Sequence, residues 1–543
     1  MARGGAGLTA GVGGGHRAAV GAAAAVVLGF LGLFFAWPVA AIVGAGVGGG
    51  ITAVLTDPGT WRLVAFTLGQ AAASTVVALV LGMPLAYVLA RLAVPGRTLL
   101  RAVVMVPFVL PTLVVGMAFR ALFGGADGIS VAGIVLANAF FNVAVVARTV
   151  GGLWTHLDRR VEDTARSLGA SRLRAFTSVT LPALLPALGS ALAVVFLFCS
   201  TSFGVVLVLG GGDYRTLETE IYLRTVQLLD LSGAAALSLL QLVAVVAALV
   251  IAAVARRRRE TALRLRKAEE TVRRPQGGEW WIVGAAGVVV VGLLTPIVGL
   301  LVRSVSTRDG WSLAGYRALA GTGERGTLQV SGVEAALNSV RTAVDATWLA
   351  LLIGLLASFV LISVQRRTTA ELLDTVLMLP LGVSAVTVGF GYLITLDLLP
   401  GDLRTSPLLV PFAQALVVTP LVIRMVLPVL RAIDGRLRQA AATLGAGPWR
   451  VRWEIDVPLA ARAVLAAAGF GFVVALGEFG ATSFLARPDA PTLPVAIGRL
   501  ISRPGELNSQ MAYAACALLM IVTTMAVVLV ERVRGRAESV GEF

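Results

Sequence analysis

The chain has 543 residues, 57% of them hydrophobic and 14% charged, with a mean hydropathy of +0.87. Soluble domains run at about 45–50% apolar and about 25% charged, so a disordered tail, a nucleic-acid arm and an ordinary soluble enzyme are excluded. The net charge of +15 is carried by arginine, since Lys267 is the one lysine; on a membrane protein such charge collects in short cytoplasmic loops and needs no nucleic acid to explain it.

A spanning helix takes about 20 apolar residues, so twelve would take roughly 240. Met1–Arg17 is Gly/Ala-rich, and an apolar run follows from Ala18 to Val43. A secretory leader has an apolar segment of only about 7–15 residues, so this run predicts a first membrane helix. Further runs lie at Trp61–Ala90, Leu100–Phe123, Val131–Leu153, Leu181–Leu209 and Ala234–Val254. The basic stretch RRRRETALRLRKAEETVRRPQGGE (256–279) interrupts them. Six more runs follow at Trp280–Val302, Val340–Val364, Leu372–Leu396, Pro407–Leu430, Leu459–Leu485 and Ala512–Val530. The reading is an all-α polytopic membrane protein of about twelve helices. With both termini in the cytoplasm, Arg91, Arg97, Arg101, Arg256–Arg259, Arg366, Arg367, Arg532, Arg534 and Arg536 fall inside, as the positive-inside rule asks. The Arg256–Arg274 stretch is open to two readings, a solvated linker or a contact with anionic lipid. Cys199 and Cys516 lie in apolar runs, as small buried side chains do. His16 and His156 are the only histidines, and no Cys/His cluster has metal-ligand spacing.

The chain contains an internal repeat. VEDTARSLGASRLRAFTSVTLP (161–182) matches LRQAAATLGAGPWRVRWEIDVP (437–458) at an offset of 276, which persists through Ser202-Phe203-Gly204 and Glu478-Phe479-Gly480 and through Thr216-Leu217 and Thr492-Leu493. Upstream, MVPFVLPTLVVGMAF (105–119) matches MLPLGVSAVTVGFGY (378–392) at 273. The organisation is therefore an N-terminal segment with the first helix (1–60), a first core (61–255), a basic linker (256–279), the first helix of the second half with an extracytoplasmic loop (280–336), a second core (337–531) and a cytoplasmic tail (532–543). Six spans return the chain to its starting side. Both halves then have one orientation, with the repeated loops 157–180 and 433–457 in the cytoplasm. In the first loop Ala165, Leu168 and Leu173 can share an apolar stripe, with Asp163, Arg166, Arg172 and Arg174 wet. One such loop could be an interfacial helix, but two with one glycine-to-proline spacing suit a two-fold symmetric partner.

These loops resemble the EAA loop of type I ABC importer permeases: Glu-Ala-Ala, three residues, Gly, nine residues, Ile-x-Leu-Pro. Asp163, Thr164, Ala165, Gly169, Val179, Leu181 and Pro182 fill those places in the first copy. Gln439, Ala440, Ala441, Gly445, Ile455, Val457 and Pro458 fill them in the second. Asp163 and Gln439 replace the usual Glu, and Gln439 also removes a charge. The resemblance implies two ABC type-1 transmembrane domains, coupled through these loops to two copies of a cytoplasmic ATPase and served by an extracytoplasmic substrate-binding protein. ATP and Mg belong to the ATPase subunits under that reading, and this chain holds no cofactor. In keeping with this, Lys267 has no glycine-rich turn before it, so no ordinary Walker A motif is present.

The fusion of both halves in one chain resembles ferric-iron and thiamine importers, as do FCSTSFGVVLVLGGGDYRTLETEIY (198–222) and ALGEFGATSFLARPDAPTLPVAI (475–497). Ferric iron is the expected cargo, with thiamine as the alternative. Glu478 lies in an otherwise apolar run, with Ser202 as its repeat mate. It is a candidate to meet a cationic substrate on the path, or a carboxyl hydrogen-bonded to a neighbouring helix. Glu218 and Glu220 are expected at the outer mouth, against a binding protein or solvated. Asn138, Asn142 and Asp345 are expected to join helices. A major-facilitator transporter would share the twelve spans, but not the paired loops.

Overall fold

The computed structural model describes residues 6–123, 130–257, 272–307, 310–364, 366–396 and 406–538. Most of the expected linker, 258–271, lies outside the described residues. Apart from one two-residue hairpin, Ser306–Thr307 with Gly310–Trp311, the regular structure among them is helical. The first half contributes α1 (Ala18–Gly48), α2 (Pro58–Arg91), α3 (Arg97–Val109), α4 (Thr112–Phe123), α5 (Val131–His156), α6 (Arg159–Ser167), α7 (Arg172–Ser200), α8 (Gly204–Leu209), α9 (Leu217–Val226) and α10 (Leu231–Arg257). The second contributes α11 (Glu279–Val305), α12 (Gly332–Ser363), α13 (Arg367–Gly382), α14 (Ala385–Thr395), α15 (Leu409–Ala432), α16 (Gly435–Thr443), α17 (Trp453–Gly477), α18 (Thr482–Leu485), α19 (Leu493–Ser502) and α20 (Glu506–Glu538). Ten of these are long and apolar enough to cross a membrane. Two further pairs, α3 with α4 and α13 with α14, bring the number to twelve if each pair is one span.

Those pairs correct the expectation of straight helices at Leu100–Phe123 and Leu372–Leu396. They bend by 101° and 91°. In the first, Pro111 has no N–H to continue the helix and forces Leu110 into an extended conformation (φ −67°, ψ 135°). In the second, Ser384 stands at the equivalent place and restarts the helix, its Oγ accepting from the Val386 N–H at 3.1 Å. The expected runs Leu181–Leu209 and Leu459–Leu485 also end early, at Ser200 and Gly477, and each resumes as a short helix, α8 or α18.

Residues fall into two units: 1–45 with 328–496 and 521–543, and 46–327 with 497–520. Each unit thus takes the leading span of the other half, and the second unit also takes 497–520 from the second core. In the first unit, α1 packs on α12, Phe34 stacks on Phe412 (centroids 4.6 Å apart), and Tyr392 donates to the Phe34 carbonyl at 2.6 Å. In the second, α11 packs along α2 and α4, and Tyr87 of α2 donates to Glu279 at 2.8 Å. The core of the second unit has Ala71, Ala78, Ala86 and Ala90 of α2 against Val146, Val150 and Trp154 of α5 and Leu184 of α7. Small side chains let helices approach closely where lipid offers no hydrophobic drive to association.

The sequence blocks that repeat also pack on each other. Gly116 of α4 faces α8 so closely that a Cβ there would lie 2.9 Å from Val208 Cβ; at its repeat mate Gly389 of α14, a Cβ would lie 2.7 Å from Ala481 Cα.

Candidate functional site

Each repeated loop is a short helix, a left-handed glycine and a second turn. Asp158 opens α6, its Oδ1 accepting from the Arg160 N–H at 3.0 Å, and Asp434 opens α16 by accepting from Arg436 at 2.9 Å. Such N-caps contribute about 1 kcal/mol each. The helices then close in matching C-terminal turns. The Gly169 N–H donates to the Arg166 carbonyl and Ala170 to Ala165, at 3.0 and 3.1 Å; Gly445 donates to Ala442 and Ala446 to Ala441, both at 3.0 Å. Gly169 and Gly445 have φ of +91° and +83°, a conformation that an L side chain adopts only at a cost of roughly 1–2 kcal/mol. The motif's second alanine, Ala165 or Ala441, therefore supplies the carbonyl that closes the glycine turn.

The residue before each glycine is thrown outward, and Leu168 is 84% and Leu444 88% exposed. Leu173 is exposed as well. The stripe expected of Ala165, Leu168 and Leu173 on one helix is therefore divided, because α6 ends at Ser167 and the glycine turn redirects the chain. Equivalent residues share their burial: Asp163 and Gln439, Thr164 and Ala440, Gly169 and Gly445, and Pro182 and Pro458 are exposed, while Ala165 and Ala441, and Val179 and Ile455, are half-buried. One pair differs: Leu181 is half-buried where α7 leaves the loop, whereas its mate Val457 is exposed. Asp163 lies 3.6 Å from Arg159 and 3.9 Å from Arg166. Gln439 carries no charge with which to form such pairs.

A second tie closes each loop onto the next span, and its chemistry differs between copies. In the first, Thr180 donates to Glu162 Oε2 at 2.9 Å; in the second, Arg438 Nε donates to Asp456 Oδ1 at 2.8 Å. Positions 162 and 438, and 180 and 456, are repeat mates. The second loop also pairs Arg450 with Glu454 at 2.7 Å, and that hydrogen bond pushes the guanidinium pKa further up. The motif alone does not pick out these ties or the Asp158 and Asp434 caps. The offset of 276 does, if the alignment is run back to Leu157-Asp158 and Ile433-Asp434.

The path candidates lie apart from the loops in the chain, in buried polar clusters. Ser202 donates to Asn138 Oδ1 at 2.7 Å, Asn138 to Gln70 Oε1 at 2.9 Å, and Asn142 to the Asn138 carbonyl at 2.9 Å. Asn138 thus joins α5 to α2 and to the turn after α7. Glu478 closes its own turn: Oε1 accepts from the Ala481 N–H at 2.7 Å, and Oε2 accepts from the Thr482 N–H at 3.0 Å and from the Thr482 hydroxyl. Thr482 in turn accepts from Gln414 of α15 at 3.4 Å. Asp345 is half-buried on α12. Glu218 is shielded from solvent, and Glu220 is half-buried. Glu218 is fully buried and accepts from Gln241, and Glu220 is held between Arg224 (3.1 Å) and Arg215 (3.2 Å). Gln241 of α10 draws Glu218 inward, while the pairs of Glu220 are partly exposed. Cys199 and Cys516 are buried free thiols.

The model of the binding-protein-dependent transport system inner membrane component matches residues 82–260 and 350–536, each stretch holding one of the loops. The chain belongs to this family. It is a fused, multi-pass inner-membrane permease of an ABC importer. Along nearly its whole length it is similar to the thiamine transport system permease protein ThiP of Brucella abortus (strain 2308), 26% identical over 511 residues, which are 90% of each chain. The protein of the same name from Escherichia coli K12 is 23% identical over 504 residues, 89% of this chain and 91% of that one. The sulfate transport system permease protein CysT of Salmonella typhimurium (strain LT2) is 34% identical over 207 residues, 35% of this permease and 74% of CysT.

Proposed function

We propose that this permease carries thiamine, and that its two loops are where two copies of a separate cytoplasmic ATPase dock. The full-length similarity to thiamine permeases supports the cargo, whereas CysT shares only one half. It displaces the expected ferric iron in favour of the alternative. The docking reading rests on one observation: an exposed leucine on a left-handed glycine turn, presented once per repeat at the same offset. An apolar side chain held in water on a capped, rigid turn is suited to a pocket on a partner. Under this reading both loops and both termini face the cytoplasm, ATP and Mg stay with the partner subunits, and an extracytoplasmic binding protein delivers the cargo. Glu478, Ser202 and Glu220 then act through the shape they give the path and its mouth, because their polar atoms are already engaged within the chain.

The test is reconstitution in liposomes with a candidate ABC ATPase and a candidate substrate-binding protein from the same organism. ATP-dependent uptake of thiamine and not of ferric iron is expected. Iron uptake, or thiamine uptake driven by an ion gradient without the ATPase, would overturn the proposal.

A further inference from the structure

In the second unit a cavity of about 620 Å³ opens beside the first loop, between the ends of α2 and α5 and the start of α11. Five arginines line it: Arg91, Arg159, Arg166, Arg172 and Arg273. Its two carboxylates are committed. Glu279 accepts from Tyr87, from the Gln276 N–H at 2.8 Å and from Arg273, and Glu162 accepts from Thr180. Asp163, just outside the lining, is shared by Arg159 and Arg166 at separations beyond hydrogen-bond length. With Asp158 at the α6 cap, which also acts on Arg91, five guanidiniums meet four carboxylates, and the surplus is positive.

The decisive group is Arg91. It is only 6% exposed, it lines the cavity, and its Nη1 is buried with no hydrogen-bond partner. A buried guanidinium with an unmet donor is costly unless an anion completes it. The backbone around it is fixed: Arg273 donates to the Arg91 carbonyl at 3.1 Å, and Ala93 donates to the Arg273 carbonyl at 2.7 Å. The end of the basic linker is therefore not a free solvated strand. It forms one wall of this cavity.

Much of the remaining lining is apolar, and within it Val80 and Met83 of α2 and Ile282 of α11 lie on two membrane spans. Val80 is 63% exposed, and Val76, one turn away on the same helix, is 59% exposed, so the wall continues along the outer face of α2. A soluble phosphate would use the arginines and leave that wall empty. A lipid would use both, with its phosphate at Arg91 and its chains along α2.

We propose that this cavity holds the phosphate headgroup of an anionic phospholipid. Arg91 sits at its base, Arg172 and Arg273 flank it, and the acyl chains lie against Val80, Met83 and Ile282. Because α6 and the first turn of α7 supply part of the lining, the lipid joins the loop to α2 and α11. That consequence rests on the docking reading above, but the binding does not.

The test uses the full-length permease, purified without an ATPase and examined by native mass spectrometry in the presence of phosphatidylglycerol, phosphatidylcholine or inorganic phosphate. Phosphatidylglycerol should be retained over phosphatidylcholine by about tenfold, because both carry the phosphate but the choline ammonium of the latter meets the surplus of guanidiniums. Arg91→Gln should lower retention of phosphatidylglycerol about tenfold, the worth of one charge-assisted hydrogen bond, and Arg91→Lys should keep part of it. Arg172→Gln, on the exposed loop, weakens retention without touching the core. Equal retention of both lipids, or undiminished phosphatidylglycerol on monodisperse Arg91→Gln and Arg172→Gln variants, would overturn the proposal. Bound inorganic phosphate with no retained phosphatidylglycerol would overturn the lipid assignment in favour of a soluble anion. A permease that keeps the lipid but fails to capture an ATPase would sink the docking reading alone.

Discussion

The two loops present one shape through two chemistries. Cap, glycine turn and outward leucine are the same in both, down to φ values of +91° and +83°. The tie that anchors them is not: a threonine hydroxyl on Glu162 in one, an arginine on Asp456 in the other. What repeats is the surface offered to a partner. What has diverged is how that surface is braced from behind. The bends show the same division, since Pro111 turns the chain in one half and a Ser384 cap does so in the other. A two-fold symmetric partner constrains geometry at the contact and leaves the support free to vary.

The sharpest way to break the comparison is at the leucines. Burying each should contribute about 1.5–3 kcal/mol, so Leu168→Glu or Leu444→Glu should lower ATPase capture by roughly 10- to 100-fold, and the double variant should abolish it. Both side chains stand in water, so the permease itself should elute as before on size exclusion. If one variant is silent, the loops are not equivalent.

The buried repeat mates 202 and 478 give the next largest effect. Glu478 accepts three hydrogen bonds from its own turn, so Glu478→Gln sets an amide N–H against backbone donors, at about 1–3 kcal/mol. Thermal stability should fall, while thiamine uptake per folded molecule stays unchanged. A stable variant with lost uptake would return Glu478 to the path as a charge.

Gly169→Ala and Gly445→Ala should each loosen the loop by roughly 1–2 kcal/mol, through the strain of placing a Cβ at positive φ. Faster hydrogen exchange at the amides of residues 168–170 and 444–446 would report it. Equal losses are expected because the two turns have the same bonds; unequal ones would show that the second turns brace the loops differently.

The loops were legible in the sequence because they depend on local rules. A glycine that must be left-handed and a proline that opens the next helix leave fixed spacings. The bends were hidden because hydropathy measures apolar content and not direction: Leu110-Pro111 sits in an unbroken apolar run. The exchange of leading spans was hidden for a related reason. All the spans are about equally apolar, and α1 joins the second core through specific contacts such as Phe34 on Phe412 and Tyr392 on the Phe34 carbonyl. Glu218 misled because an acidic residue at a helix start normally faces water, whereas here Gln241 waits inside; Glu220 stays half-buried between Arg215 and Arg224.

The smallest effect sharpens the comparison most. The side chains of Arg438 and Asp456 are 33% and 18% exposed, so their pair should contribute only about 0.2–1 kcal/mol. Arg438→Glu sets like charges face to face and should raise hydrogen exchange at Leu444 and Gly445. Adding Asp456→Thr rebuilds the first loop's tie in the second loop and should restore most of the protection. Part stays lost, because Arg438 also reaches the Leu430 carbonyl at 3.4 Å. Salt then separates the two braces. Raising the salt from 0.1 to 1 M shortens the screening length from about 10 to about 3 Å. That should speed exchange in the native second loop by at most about 1.4- to fivefold at the energies above, and should affect the rebuilt, singly charged tie less. If the double variant is as unprotected as Arg438→Glu alone, positions 438 and 456 do not brace the loop as a pair, and the likeness of the two loops ends at the glycine turn.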